Sequence, residues 1–298
     1  MESLISFGIA GWSYPDWDGF VYPKGLKDKL GFIAPFVDMI EINSSFYRPP
    51  TARMTATWLK TVEKNPGFFF SAKIHQDVTH RFIIDPVMVG GFHEGLRPLR
   101  DAGRLRHLLA QFKFDFEDTQ EHRDHLEKVR DAFSGPHGLV MELRHISWQA
   151  PSALAFLDGL GVIVANLDYP MAQNSFNLPV CLVGEDAYFR LHGRNRSAWF
   201  DKSAGRDATY NYYYSKPELA GLRDRAVALS KAKRSLTVVA NNHYGGKEVA
   251  NILQLKALIM ALPLKVPDLL MSRYPDLKEI ALPPENPAQQ QGELAFSP

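Results

Sequence analysis

The chain has 298 residues, 45% hydrophobic and 22% charged, which excludes a disordered chain, a collagen-like repeat and a disulfide-stapled miniature. Basic and acidic residues number 34 and 33, a formal charge of +1, so no broad basic field exists to hold a nucleic-acid backbone non-specifically. Cys181 is the only cysteine, which excludes an intrachain disulfide or a Cys-based metal site and predicts a buried thiol. Met1-Glu2-Ser3-Leu4 has no basic region, and no stretch reaches the ~20 apolar residues that cross a bilayer; the expectation is a cytoplasmic protein with no membrane partner.

In chain order, short apolar runs at 5–11, 38–43, 67–74, 107–113, 138–144, 161–167, 186–192 and 236–241 predict strands. Several are nearly continuous, such as Gly138 to Glu142 and Leu236 to Ala240, as suits parallel strands buried on both faces. Helical periodicity lies between them. Over 119–133, Leu126, Val129 and Phe133 share a face, and Asp118 and Glu121 have the spacing of a capping box. Ser215 and Glu218 repeat that spacing before Leu219, Leu222, Ala226 and Leu229. After Gly245-Gly246 a helix runs through Val249, Ile252, Leu253, Ala257 and Met260 until Pro263 and Pro267 stop it.

This alternation predicts an α/β fold, a single (β/α)8 TIM barrel over residues 1–265, with an open doubly wound sheet as the rival. The segment 168–179 is short, polar and proline-bounded, so the sixth crossover is expected to be irregular. A long polar and aromatic insertion, 194–214, follows the seventh strand. Residues 266–298, with Pro283-Pro284 and Gln289 to Gln291, form a C-terminal tail packed on or trailing from the barrel.

Polar residues gather at the C-terminal ends of the predicted strands: Trp12, Ser13 and Tyr14; Glu41, Asn43 and Tyr47; Lys73 and His75; Gln111; Glu142, Arg144 and His145; Asn166 and Asp168; Arg190, His192, Gly193 and Arg194; Asn241, Asn242 and His243. In a barrel these ends converge on one mouth, the usual place for chemistry. Residues two apart on a strand point the same way, so Glu41 with Asn43, Lys73 with His75, Glu142 with Arg144 and Arg190 with His192 are expected to line it together. Glu142 is the leading candidate for a general acid or base and Glu41 the second, with Lys73 and His192 also catalytic and His192 as proton relay. Lys73, Arg144 and Arg190 would hold an anion; Trp12, Asn43, Tyr47, Asn241 and Asn242 would contact and orient the substrate.

The glycines of His192-Gly193-Arg194 and of Asn241 to Lys247 suggest a phosphate cradle of Gly193, Gly245 and Gly246, with Arg194 and Lys247 adding charge; a plain strand-to-helix turn explains the same glycines. Lys73, at the end of an apolar run, could also form a Schiff base, against an ion pair with Glu41 or Glu142. No cofactor is expected. The intermingled cations argue against a bound metal, although Glu41, Glu142, Asp168, His192 and His243 could supply ligands. The aromatic insertion reads equally as a lid or as a packed loop.

Taken together, these blocks resemble the DUF72 (YecE-like) family. They comprise Gly11-Trp12-Ser13-Tyr14 with Trp17 and Tyr22-Pro23; Glu41-Ile42-Asn43 with Phe46-Tyr47; Ala72-Lys73 with Thr79-His80; Gln111-Phe112; Glu142-Leu143-Arg144-His145 with Trp148; Tyr188 to Arg194; and Asn241-Asn242 with Gly246 and Ala250. The chain departs from the family pattern at Lys113-Phe114, where a Pro-Pro pair is common, and at Ala240, where Phe is common. The resemblance implies a TIM barrel and no particular reaction. The leading functional expectation is an enzyme acting on a small polar metabolite, anionic or phosphorylated; the alternatives are a non-catalytic binder of a nucleotide, sugar or nucleic-acid end, and a metal-dependent hydrolase or isomerase. The oligomeric state is left open.

Overall fold

The computed structural model describes residues 4–201 and 203–283. Its strands are β1 (Leu4–Ile9), β2 (Met39–Ile42), β3 (Phe69–Lys73), β4 (Leu105–Gln111), β5 (Gly138–Glu142), β6 (Ile163–Val164), β7 (Asn166–Asp168), β8 (Ala187–Leu191) and β9 (Ser235–Ala240). All named pairings are parallel, and β9 lies beside β1, in register from Leu4 opposite Ser235 to Ile9 opposite Ala240. The helices are α1 (Lys29–Ile33), α2 (Ala52–Thr61), α3 (Gln76–His80), α4 (Pro86–Asp101), α5 (Gln120–Phe133), α6 (Pro151–Gly159), α7 (Arg196–Phe200), α8 (Arg206–Thr209), α9 (Lys216–Ala232), α10 (Lys247–Met260) and α11 (Asp268–Arg273). The architecture is the TIM-like α/β barrel; the open-sheet rival is set aside.

The sixth strand departs from expectation. It is broken at Ala165 into β6, which pairs with β5, and β7, which pairs with β8. One extended segment thus changes partner in mid-course and carries the sheet round from β5 to β8. Side chains replace the missing ladder: Asn166 brackets the backbone of Cys181 at 3.1 and 2.8 Å, and Arg225 of α9 reaches the carbonyls of Pro179 and Leu167 at 2.8 and 3.1 Å. No helix forms in 169–186, the sixth crossover, as its composition predicts.

Alternation along the strands divides the buried residues into two clusters. A small one fills the barrel with Met39, Phe69, Leu109, Val140, Ile163, Tyr188 and Val239. The larger one packs strands against helices. Helix starts follow their capping residues. The Ser215–Glu218 box forms, with the Ser215 N–H donating to Glu218 at 2.8 Å. At α5 the cap is Thr119, whose hydroxyl accepts from the His122 N–H, and not Asp118, which pairs with Arg123 at 2.5 Å.

Beyond residue 265, α11 and a 3-10 turn (Pro275–Glu279) bury Leu270 and Leu277 against the barrel. The Tyr274 ring stacks on Tyr213 at 4.8 Å. The expected tail residues 284–298 lie outside the described residues.

Candidate functional site

Above the apolar layer inside the barrel, the next inward positions are charged. Arg190 of β8 is fully buried and lies between Glu41 of β2 and Glu142 of β5, which are fully buried too. It donates to Glu41 Oε1 at 2.5 Å from Nη2, and to Glu142 Oε2 and, at 3.1 Å, Gln111 Oε1 from Nη1. Glu41 also accepts from the Tyr188 hydroxyl at 2.9 Å. Arg144 grips Glu142 Oε1 through Nε at 2.9 Å and Nη2 at 2.6 Å. Burial pushes the Glu142 carboxyl up, but Arg190 and Arg144 outweigh it and hold the group well below the usual carboxylate range. His192 Nε2 lies 3.4 Å from Glu142 and its Nδ1 3.0 Å from Asn241 Nδ2; burial lowers its pKa to about 4, so the ring is neutral.

These contacts count against the leading role expected of Glu142. A carboxylate fully buried, held by two guanidiniums and ionised well below neutral pH has no proton to give and little basicity to offer. Glu41 is enclosed in the same way by Arg190 and Tyr188. The two glutamates form a fixed ionic layer that sets the electrostatics of the mouth.

Lys73, the last residue of β3, stands in the same layer without a carboxylate of its own: among the described residues it makes no ion pair. Its Nζ lies 4.3 Å from the centroid of the Phe46 ring. Burial, then the nearby Arg190, lowers its pKa to about 8. It opens into a cavity of about 370 Å³ lined by Gly11, Trp12, Ser13, Tyr14, Pro15, Asn43, Ser44, Tyr47, Asn241 and His243, with Arg206 and Tyr210 of the insertion. Three cations (Lys73, Arg144, Arg190) against two carboxylates leave one positive charge in excess here. Trp12 packs edge-on against Trp58 at 5.2 Å, and Tyr47 is largely exposed at the rim.

Among the described residues, three buried polar atoms around this cavity have no hydrogen-bond partner: Asn43 Oδ1, His243 Nδ1 and, on α10, Glu248 Oε1. Asn43 Nδ2 donates to the Ala10 carbonyl at 2.9 Å, while Glu248 accepts from the Ala10 N–H at 3.4 Å. Burial, reinforced by Glu41, raises the Glu248 pKa well above the ordinary value, so that it stays protonated. Burial and Arg206 lower the His243 pKa to about 4.

The insertion covers part of the mouth. Trp199 packs against Tyr169 at 6.0 Å and His192 at 5.8 Å, with the Arg144 guanidinium 5.3 Å from its ring. Tyr210 adjoins His243 at 5.2 Å, and Arg206 lies 5.9 Å from the Tyr14 ring. Tyr210 belongs to the aromatic insertion weighed as a lid, whereas Arg206 was passed over; its only signal was membership of that long insertion after a strand end.

Other expected residues lie apart from the cavity. The phosphate cradle is closed by the chain itself: the Gly193 N–H donates to the Tyr214 hydroxyl at 2.9 Å and the Gly245 N–H to Asp16 at 2.6 Å. Gly246 has φ +75°, and a Cβ there would sit 2.5 Å from Val21, so this glycine serves the turn and its packing. Arg194 is held by Asp168 at 2.7 Å and Glu218 at 3.3 Å, and Lys247 by Asn211. Asn242 donates to the Tyr212 carbonyl and to Asn251. His75 caps α3 through Nδ1, accepting from Asp77 at 3.2 Å, with Nε2 3.0 Å from the Tyr47 carbonyl. No three His, Cys, Asp or Glu side chains gather as metal ligands among the described residues. No helix of the described residues is long and apolar enough to cross a membrane.

The profile of the family described as "Protein of unknown function DUF72" matches residues 6–271. The UPF0759 protein YunF of Bacillus subtilis (strain 168) is 27% identical, over 86% of this chain and 95% of that protein. A crystal structure of a DUF72 family protein from Thermotoga maritima superposes with a TM-score of 0.75 at 31% identity, covering 86% of this chain and 99% of that one. A second, from Enterococcus faecalis, gives 0.76 at 24% identity, covering 89% and 98%.

Proposed function

The chain belongs to the DUF72 family, and from that premise we propose that it is an enzyme taking a small, polar, anionic metabolite, carboxylated or phosphorylated, into the cavity at the C-terminal mouth of the barrel. One observation carries this reading: Lys73 faces the cavity with no carboxylate partner among the described residues, while Glu41 and Glu142 are both occupied by arginines. A cation in a concave, partly dehydrated site attracts an anion of matching size.

In this reading Lys73 binds the anionic group and exchanges protons near neutral pH, which Glu142 cannot do. Asn43 and Asn241 orient ligand oxygens, and Asn43 Oδ1 and His243 Nδ1 offer unused acceptors for ligand hydroxyls. Arg144 and Arg190 act through the field they maintain. The non-catalytic reading leans on stacking by the insertion, but Trp199 is already engaged by Tyr169, His192 and Arg144.

Melting curves with a panel of small carboxylates, phosphate monoesters and inorganic phosphate test the proposal. At least one should raise Tm, the rise should vanish in Lys73→Met, and Lys73→Arg should restore part of it. A flat panel, or an equal rise in Lys73→Met, overturns it.

A further inference from the structure

We propose that Lys73 is a nucleophile, whose amine condenses with the carbonyl carbon of a small aldehyde or ketone that also bears a carboxylate or phosphate. The inference rests on the anion-site reading above and narrows it to a ligand class.

The geometry singles out this amine. Its backbone is fixed: Lys73 ends β3 opposite Leu109, its carbonyl accepts from the Ser45 hydroxyl at 2.7 Å, and the following residue, Ile74, donates to Leu109 at 2.9 Å. A lysine placed for a salt link would lie against one of the two carboxylates in its layer. Here both are held by Arg190 and Arg144, and among the described residues the ammonium makes no ion pair and lies over the face of Phe46. Apolar surroundings and neighbouring cations favour the free amine, the form that attacks carbonyl carbon. The lowering of its pKa to about 8 agrees with that arrangement.

The same cavity holds what the rest of the ligand needs. Arg206, at the lip, is more than half exposed and paired with its neighbour Asp207 at 3.5 Å; it takes over the anionic end once Lys73, which first attracts the ligand as an ammonium, reacts as the free amine. His243, neutral and with Nδ1 unpartnered, can relay a proton during dehydration. In the step itself, the amine lone pair forms the N–C bond and the carbonyl π pair moves to oxygen, which takes up the proton nitrogen loses. The second proton of the nitrogen then passes to that oxygen, relayed by His243, the C–O bond breaks as water leaves, and the nitrogen pair forms the C=N bond. No electrons are gained or lost overall.

The test is reductive trapping. Full-length protein is incubated with glyoxylate, with pyruvate and with glycolaldehyde phosphate, reduced with borohydride and mapped by peptide mass spectrometry. The expected result is one reduced adduct on the peptide holding Lys73 with at least one probe, in excess over surface lysines. Its yield should rise with pH to about 8 and then level off, and the adduct should be lost in Lys73→Arg. If the peptide is labelled no more than surface lysines with all three probes while small anions still raise the wild-type Tm, the nucleophile is overturned and the anion site stands. If the anions do not raise Tm either, both readings fall.

Discussion

Arg190 and Lys73 are inward-facing cations of the same layer at the same end of the same barrel, and they are treated in opposite ways. Arg190 is fully enclosed, and Glu142 and Glu41 outweigh its burial and raise its pKa further. Lys73 is also largely buried, yet has no counter-ion among the described residues, and its pKa falls. A planar fork suits two carboxylates at once, whereas an ammonium on a flexible stem can be left free to meet something else. Glu248 shows a third treatment, a buried carboxyl that keeps its proton and so carries no charge. The first arrangement holds the structure together; the second leaves an unpaired cation, among the described residues, at the cavity.

Three changes would break or sharpen this contrast. Arg190→Met leaves two carboxylates buried without their shared partner and should cost about 3–5 kcal/mol of stability in urea unfolding. A loss below about 1 kcal/mol would mean that Lys73 had taken over the pairing, and the contrast would collapse.

Lys73→Met should have a smaller effect, and one that depends on pH. The folded lysine titrates near 8 against an ordinary value of 10.5, so between those values the unfolded chain binds more protons than the folded one. Wild-type stability therefore gains from Lys73 as pH rises through that window. The variant should be the more stable below pH 8 by its largest margin, and the margin should shrink by pH 10.5. A margin constant with pH would show an ordinary, solvated lysine.

Glu248→Gln should give the smallest change. Glutamine retains an acceptor for the Ala10 N–H and removes an ionisable group. Because the folded carboxyl keeps a proton that the unfolded one has lost above about 4.5, wild type loses stability as pH rises from there. The variant should be the more stable at neutral pH, with no difference near pH 4.5. An equal or lower Tm for the variant at neutral pH would mean that the carboxylate is ionised and matched.

Much of the fold was legible because its signals are local. Continuous apolar runs and cap spacings depend on near neighbours, and strand alternation correctly placed Glu41, Lys73, Glu142, Arg190 and His192 inside. What alternation cannot say is which inward group meets which. Arg190 lies 149 residues from Glu41 and 48 from Glu142, so their mutual capture is settled only by closure of the ring. The same blindness made Glu142 look like an acid-base group. The glycine loop misled for a related reason: Gly245 and Asp16 are 229 residues apart, and nothing near the glycines announced that their N–H groups were taken. The split sixth strand escaped because a change of hydrogen-bond partner leaves no mark on hydrophobicity.

That split has a mechanical consequence. Two register pairs join β6 to β5 and three join β7 to β8, whereas β1 and β9 share six. The seam of β1 with β2 is equally short, with two pairs, but the split strand is also riveted by the side chains of Asn166 and Arg225. Local opening beside Ala165, between β5 and β8, therefore costs little, while the six-pair seam of β9 with β1 stays shut.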